Sequence, residues 1–449
     1  MRVIPIVDQG LGNSAYLVDL GEGQGLVIDP ERNPSPYLAV AERRGLRLRW
    51  VVETHLHADF VSGGRELAAR GAQLLAPVES RLRFDHRAVS DGDEVDLGGL
   101  TLRVIATPGH TPEHCAYLLL DGAEPVGLFT GGTLIVGGVA RTDLISPDLT
   151  EELARAAYRS INERLFTLPD DLAVYPTHGA GSFCSSSPTG ERITTIGHER
   201  MTNPLLRAKD ENDFVARLIA GFGTYPSYFL RLRGLNQNGA TIFGLAPPPL
   251  RALTPDEMAG MIEAGAEAID LRPIVDFAAN HIPGSISIQL RDQFATWLGW
   301  LVDPDRSLVF VADPDQNLAD AVIQSLNIGY EQFGGYLAGG IGAWQQSGRS
   351  VTTTRVLSAH QIPSTSAIVD VRQESEWETG HVPGAIHLEL GEVSSATTGG
   401  LPAELVLHCG HGQRAMTAAS VLERAGRTDV AVTAASALEL TQVAASSGR

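Results

Sequence analysis

The sequence predicts an α/β protein in three parts. A sheet-rich mixed α/β region of about 245 residues comes first, and two smaller domains that alternate short strands with helices follow. Three observations carry this. The chain has 449 residues, and at roughly 100–200 residues per domain that is room for about three domains. Ile269-Asp270-Leu271-Arg272 reappears 100 positions later as Val369-Asp370-Val371-Arg372, and His281-Ile282-Pro283-Gly284-Ser285-Ile286 reappears at the same offset as His381-Val382-Pro383-Gly384-Ala385-Ile386. A repeat of that length means tandem domains, not a solenoid. Finally, Ala246-Pro247-Pro248-Pro249 reads as a stiff linker. Boundaries near 247 and 352 follow, giving domains at 1–246, 250–350 and 354–449.

In chain order, strand-like runs open the first region at 2–7, 14–18 and 25–28. A fourth, Trp50-Val51-Val52-Glu53, leads into a histidine-rich loop. Helical patterns follow at 64–70 and 151–165, and a hairpin-like alternation spans 94–97 and 100–105 around Gly98-Gly99. The later copies place short apolar runs at 268–271, 308–311, 367–369 and 405–407, with helical patterns at 318–326 and 415–425 between or after them. Short buried strands alternating with helices predict mostly parallel sheets.

Composition excludes several classes. Asp plus Glu is 53 against 34 Lys plus Arg, a net charge of −19. Neither a nucleic-acid backbone nor an anionic membrane surface suits that balance. With 43% apolar and 19% charged residues, global disorder is excluded. The N-terminal segment meets Asp8 before any long apolar run, which does not read as a signal peptide. No stretch reaches the roughly 18 apolar residues of a membrane span. Three scattered cysteines, Cys115, Cys184 and Cys409, do not form a disulfide framework. The expectation is a cytoplasmic protein with reduced thiols, and a homo-oligomer is compatible with it.

The chemistry is written in two places. Thr54-His55-Leu56-His57-Ala58-Asp59 sets imidazole and carboxylate at alternating positions just past a strand end, which is how a loop collects metal ligands. Two further histidines, in Pro108-Gly109-His110-Thr111 and Pro176-Thr177-His178-Gly179, sit on glycine-flanked turns. The second place is Cys409-Gly410-His411-Gly412-Gln413-Arg414, between a strand and a helix. A helix N-terminus favours thiolate. Gly410 and Gly412 let backbone amides curl toward the sulfur, and Arg414 adds a permanent charge.

The order Thr-His-x-His-x-Asp, Thr107-Pro108-Gly109-His110-Thr111, Phe129-Thr130-Gly131 and Tyr175-Pro176-Thr177-His178-Gly179 resembles the metallo-β-lactamase fold, an αββα sandwich. Phe129-Thr130-Gly131 followed by Arg141-Thr142-Asp143 resembles the persulfide dioxygenases within it. Those enzymes oxidise glutathione persulfide to sulfite with one iron and O₂. The tract from His178 to Cys184, with Ile196-Gly197-His198-Glu199-Arg200 and Asn203-Pro204, looks like the branch fused to rhodanese domains. Two positions depart from the pattern. Phe60 stands where the superfamily has a histidine, and Gly132 stands where it has an aspartate that bridges two metals or ligates the dioxygenase iron. A dinuclear hydrolase site is thereby broken. His55, His57 and His110 are expected to form a neutral three-nitrogen site for one Fe(II), or for Zn, with Asp59 and His178 as further candidate ligands. A carboxylate restored at 132 is expected to raise iron occupancy. Without a bound metal, the domain is a scaffold.

The cysteine loop, with Asp370-Val371-Arg372, Glu376-Trp377 and Gly380-His381-Val382-Pro383-Gly384-Ala385, resembles the rhodanese sulfurtransferases, whose catalytic cysteine maps to Cys409. Arg414 is then its partner, with Gly410, His411, Gly412 and Gln413 as the substrate-binding loop. Phosphatase-like relatives have a loop one residue longer, so the short loop favours sulfur as the transferred group. In the middle copy, setting Gly329 against Arg427 brings 311–314 opposite Cys409, with no cysteine or arginine there. That copy is expected to be inactive and to serve packing or positioning. Cys184 is a candidate sulfur relay near the metal, and Cys115 belongs to the core.

The resemblance implies a persulfide dioxygenase/sulfurtransferase fusion acting on small persulfides, thiosulfate and thiols. Three alternatives are a rhodanese with an inert first domain, a glyoxalase II-type thioester hydrolase, and a non-catalytic sulfur-binding scaffold.

Overall fold

A computed structural model describes residues 1–185, 190–393 and 400–446. It divides into two compact units, residues 1–248 with 323–329, and residues 249–322 with 330–449.

The first unit holds two six-stranded sheets. One runs β1 (Arg2–Asp8), β2 (Asn13–Gly21), β3 (Gln24–Ile28), β4 (Arg47–Val52), β5 (Gln73–Pro77) and β6 (Arg87–Val89) in spatial as well as chain order. The other contains β7 (Glu94–Asp96), β8 (Leu100–Ala106), β9 (Cys115–Asp121), β10 (Glu124–Gly131), β11 (Ala173–Pro176) and β12 (Thr194–Thr195), again neighbour to neighbour. Alternation along β2 shows how the layers form, since successive side chains face opposite sides of a strand. Tyr16 and Val18 point between the sheets and pack with Leu26, Ile28, Val52, Leu102, Tyr117 and Phe129. Ala15 and Leu17 point outward, where Tyr37 and Ala41 of the helix Ser35–Arg44 and Leu67 of Gly64–Ala68 cover them. On the far side, Ala154, Ala157 and Ile161 of the helix Thr150–Arg159 and its π-helical extension pack with Phe214 and Val215 of the helix Glu211–Ala220. The αββα sandwich expected from the sequence is the observed architecture.

The second unit holds two five-stranded sheets of equivalent order. The first is β13 (Ala252–Leu253), β14 (Glu267–Asp270), β15 (Ile286–Ser287), β16 (Leu308–Val311) and β17 (Phe333–Leu337), arranged β13-β17-β16-β14-β15. The second is β18 (Arg355–Val356), β19 (Ala367–Asp370), β20 (Ile386–His387), β21 (Leu405–His408) and β22 (Val430–Thr433), arranged β18-β22-β21-β19-β20. All pairings in both are parallel. Their registers fix the equivalence of the copies. Asp270 pairs with Val311 and Asp370 with His408. Ala312 is therefore the counterpart of Cys409, which corrects the helix-based alignment by one residue. The helix Gln413–Arg424 that follows the cysteine loop docks on the middle copy. Thr417 donates to the Ser287 carbonyl at 2.6 Å, the Ser287 N–H donates to Ser420 Oγ at 3.1 Å, and Arg424 pairs with Glu267 at 2.7 Å.

The inner core of the sandwich depends on an aromatic cluster in which the Phe129 ring stacks on Tyr175 at 5.0 Å and tilts against Tyr16 at 5.7 Å. Phe129→Ala is expected to cost about 3–5 kcal/mol, seen as a lower urea midpoint for this unit.

Candidate metal centre and cysteine loop

The histidines meet at the ends of strands from both sheets. His55 and His57 follow β4, His110 follows β8, and His178 follows β11. The glycine before His110 is a close-approach residue. A Cβ on Gly109 would lie 2.7 Å from Ala157 Cα, so only glycine lets the outer helix press against this turn.

Hydrogen-bond partners decide which ring nitrogens carry protons. Thr54 Oγ1 donates its one hydrogen to Asp29 Oδ2 at 2.7 Å, so at its 2.8 Å contact with His55 Nδ1 it accepts. His110 Nδ1 donates to the Arg141 carbonyl at 2.6 Å. His178 Nδ1 faces the oxygens Asn13 Oδ1 at 3.0 Å and Asp59 Oδ2 at 3.2 Å. All three rings thus turn a lone pair on Nε2 inward. His55 Nε2 and His178 Nε2 lie 3.3 Å apart, and His110 Nε2 is buried without a hydrogen-bond partner. Ligand atoms of His55, His110 and His178 all fall within 4.8 Å of one another. Burial, then the neighbouring imidazoles, keep His55 well below its usual pKa, and burial foremost brings His110 down to about 3. Lone pairs converging with no hydrogen between them are satisfied by a cation, and neutral imidazoles oriented by their second nitrogen are how metals are held. The residues present therefore fit one metal ion.

His178, not His57, completes the three-nitrogen set. His57 Nε2 lies 3.3 Å from both Asp29 Oδ1 and Glu53 Oε2. Burial opposes its charge, but these two carboxylates push it up to about 10, so without a metal His57 keeps its proton beside them; Asp29, Glu53 and His57 also form a set of converging ligand atoms. His57 can also be grouped with Asp59 and His178 as ligands, which would require its proton to leave. Phe60 is fully buried and stacks on His57 at 4.2 Å, filling space beside it. Asp59 stays ionised because His178 and His57 outweigh its burial, and it orients His178 from behind. Cys184 is buried beside Asp59. Burial first, then that carboxylate, push its thiol well above the usual range, so it sits there as a thiol. Cys115 is also buried, its thiol pushed up to about 12 by burial.

A fifth histidine went unnoticed in the sequence. His114 stacks on His55 at 4.9 Å, but its Nε2 accepts from the Gly132 N–H at 3.0 Å and its Nδ1 contacts Thr107 and Thr133. Both nitrogens are occupied, so it orients the loop and does not ligate. Its position four residues after His110 was the only signal.

The packing around Gly132 opposes an added side chain. A Cβ there would lie 2.7 Å from His110 Cδ2 and 3.0 Å from Ala140 Cβ. A carboxylate cannot be added without moving His110, which is tied to the Arg141 carbonyl. Gly132→Asp and Gly132→Ala are both predicted to weaken metal binding about tenfold or more, given about 1–3 kcal/mol for overpacking. Metal content per chain and affinity by chelator competition measure this.

At the other centre, Cys409 is 4% exposed, Gly412 caps the helix Gln413–Arg424 at φ 85°, Gly410 and Gln413 are half-buried, and His411 is exposed. Arg414 makes a two-pronged pair with Glu376 at 2.5 and 2.8 Å and reaches the Cys409 carbonyl at 3.5 Å. Burial opposes its charge, but Glu376, then Cys409 and Asp370, raise its pKa. Beneath the loop, Asp370 accepts from Arg372 at 2.6 Å and meets His408 Nε2 at 3.0 Å. Burial opposes ionisation of Asp370, but these partners hold its carboxyl well below the usual range. In the middle copy Val311 replaces His408, and burial leaves Asp270 raised despite Arg272. A carboxylate with a lowered folded pKa stabilises above its unfolded pKa of about 3.9 and loses that contribution as pH falls. Asp370→Asn is therefore expected to destabilise the protein at pH 7, and the difference from the parent should shrink below about pH 4 in denaturant titrations.

With this geometry in hand, residues 8–178 match the sequence model of the metallo-beta-lactamase superfamily, and residues 254–347 and 353–437 match that of the rhodanese-like domain. The chain belongs to the metallo-beta-lactamase superfamily and carries two rhodanese-like domains after that fold. More particularly, it is homologous to the human mitochondrial persulfide dioxygenase ETHE1, with 33% identity over 195 residues that cover 42% of this chain and 70% of that one. A hydroxyacylglutathione hydrolase of Rhizobium johnstonii is 31% identical over 221 residues, 41% of this chain and 82% of that protein. The crystal structure of a metallo-beta-lactamase from Staphylococcus aureus subsp. aureus COL superposes with a TM-score of 0.67 at 30% identity, covering 75% of this chain and 98% of its own. These are families of enzymes. No helix among the described residues is long and apolar enough to cross a membrane.

Proposed function

We propose that the chain is a sulfur-handling enzyme that couples oxidation of a small persulfide at the histidine centre to sulfur transfer at Cys409. The observation that carries this reading is the presence, in one chain, of three inward-facing imidazole lone pairs and a cysteine at a helix N-terminus. His55, His110 and His178 would hold one divalent metal, with iron the ion that suits the reaction. Bound there, iron supplies activation of O₂. The balance is RSSH + O₂ + H₂O → RSH + SO₃²⁻ + 2H⁺, in which the outer sulfur is oxidised and O₂ reduced. Around it, Asp59 and Asn13 fix His178, Thr54 fixes His55, and the buried aromatic and aliphatic shell excludes bulk water.

At the second centre the Cys409 thiolate attacks the outer sulfur of thiosulfate. A new S–S bond forms to Sγ, the bond to the sulfonate sulfur breaks, and sulfite leaves with the electron pair. Cys409 then carries a persulfide anion that an acceptor thiolate or cyanide removes. Two centres in one polypeptide raise the effective concentration of the shared intermediate. The thioester-hydrolase alternative fits less well, because Gly132 lacks a bridging carboxylate and Phe60 stands in place of a histidine.

Protein prepared without oxygen is expected to carry about one iron per chain and to consume O₂ with glutathione persulfide. Absence of both after Fe(II) is added would refute the oxidation half. Cys409→Ser should abolish thiosulfate-to-cyanide transfer, by at least about a hundredfold, while leaving O₂ uptake intact. Equal transfer by variant and parent would remove Cys409 from the mechanism.

A further inference from the structure

The loop that carries His57 and Asp59 is held by a segment from far along the chain. Residues 323–329, the end of the helix Leu318–Asn327 and the turn after it, belong by sequence to the middle copy but lie in the first compact unit. The last carbonyls of a helix have no partner within it. Here donors of the first unit receive them. The Val61 N–H donates to the Asn327 carbonyl at 2.6 Å, and Arg32 donates to the Leu326 carbonyl at 3.1 Å. Arg231 donates to the Ile328 and Gly329 carbonyls at 2.9 and 3.0 Å. Two guanidinium groups also suit the negative end of the helix dipole. The Asn327 side chain donates to Glu31 at 3.1 Å, and the Glu31 backbone bridges to that of Ser62.

The helix that bears Arg231, Phe229–Asn238, also grips the histidine loop. Asn236 donates to the His57 and Phe60 carbonyls at 2.8 and 2.9 Å and accepts from the Ser62 N–H at 2.9 Å. Just before the helix, Tyr228 donates to the Asp59 carbonyl at 3.1 Å. Gly329, at φ 80°, brings the turn against this helix, where a Cβ would lie 2.8 Å from Leu235 Cδ2. Segment, helix and loop are thus hydrogen-bonded to one another, and from the loop Asp59 reaches His178 Nδ1 at 3.2 Å.

We propose that residues 326–329, contributed by a copy that has no cysteine of its own, are a positioning element of the histidine centre. They hold the 57–62 loop so that Asp59 stays behind His178 and keeps its Nε2 lone pair turned toward His55 and His110. This rests on His55, His110 and His178 holding a metal. No residue of the segment is among the converging ligands, so it acts through the loop. Without the bonds to Val61 and Arg231 the loop relaxes, Asp59 withdraws, and a histidine that has lost its orienting partner binds metal less tightly.

The test uses the full-length chain. Arg231→Gln removes the two carbonyl bonds, Arg231→Lys restores the charge, and Asn327→Asp sets a carboxylate against Glu31. Val95→Ala, in the inner core at β7, is the control for general loss of stability. In the metal-free chain, hydrogen–deuterium exchange of the amides of residues 57–63 is expected to quicken about tenfold or more in Arg231→Gln and Asn327→Asp. Co(II) added alone is expected to bind about tenfold or more weakly by chelator competition, with its visible bands shifted. Arg231→Lys should recover part of both, and Val95→Ala should leave both within about threefold of the parent. Either readout unchanged in both Arg231→Gln and Asn327→Asp, or an equal change in Val95→Ala, would overturn the proposal. If the parent holds Co(II) with this dependence yet consumes no O₂ with glutathione persulfide, the oxidation reading fails while the positioning role stands.

Discussion

One buried carboxylate organises the metal half of the molecule. Asp29, at the end of β3, holds a left-handed backbone conformation, φ 48°, that a residue other than glycine adopts only under constraint. The constraint is visible in what it binds. Asp29 accepts from the Thr54 N–H and hydroxyl at 2.7 Å each and from the Thr177 hydroxyl, and it faces His57. Thr54 belongs to the first sheet's histidine loop and Thr177 to the second sheet's. A single side chain therefore ties the two loops together, sets the tautomer of His55 and charges His57. Burial alone would favour its neutral form, but its donors and His57 hold it ionised.

That network explains what could be read from the sequence. The His-x-His-x-Asp motif, the turns around His110 and His178, and the cysteine loop are local patterns, and local patterns survive as text. So do the alternating strands, whose ends shifted by at most three residues. The division of labour among the histidines did not. His57 is engaged by Asp29 and Glu53, the first of them 28 positions upstream, and His178 lies with His55 and His110. His114 escaped notice because its partners Gly132 and Thr133 meet it only in the fold.

The same holds at the cysteine loop. A strand, two glycines and an arginine announced the site, but Arg414's capture by Glu376, 38 residues upstream, arises only on folding of that copy. The two copies also show what divergence alters. Both keep an aspartate and arginine paired under the loop, Asp270 with Arg272 and Asp370 with Arg372, each at 2.6 Å. The aspartate's shift runs in opposite directions in the two copies, raised by deep burial at Asp270 and lowered by His408 and Arg372 at the less deeply set Asp370. The frame was conserved within the chain while its electrostatics changed.

The seam along the helix Gln413–Arg424 carries a consequence for the history of the repeat. Thr417 is 4% exposed and Ser420 1%, and both spend their hydroxyl chemistry on or beside the middle copy. A freestanding domain would have to present this face to solvent, and the middle copy would lose the helix that covers its strand β15. The repeat thus shares one polar seam, so a change on one side of it alters what the other side must satisfy, and mutations there must be judged as pairs.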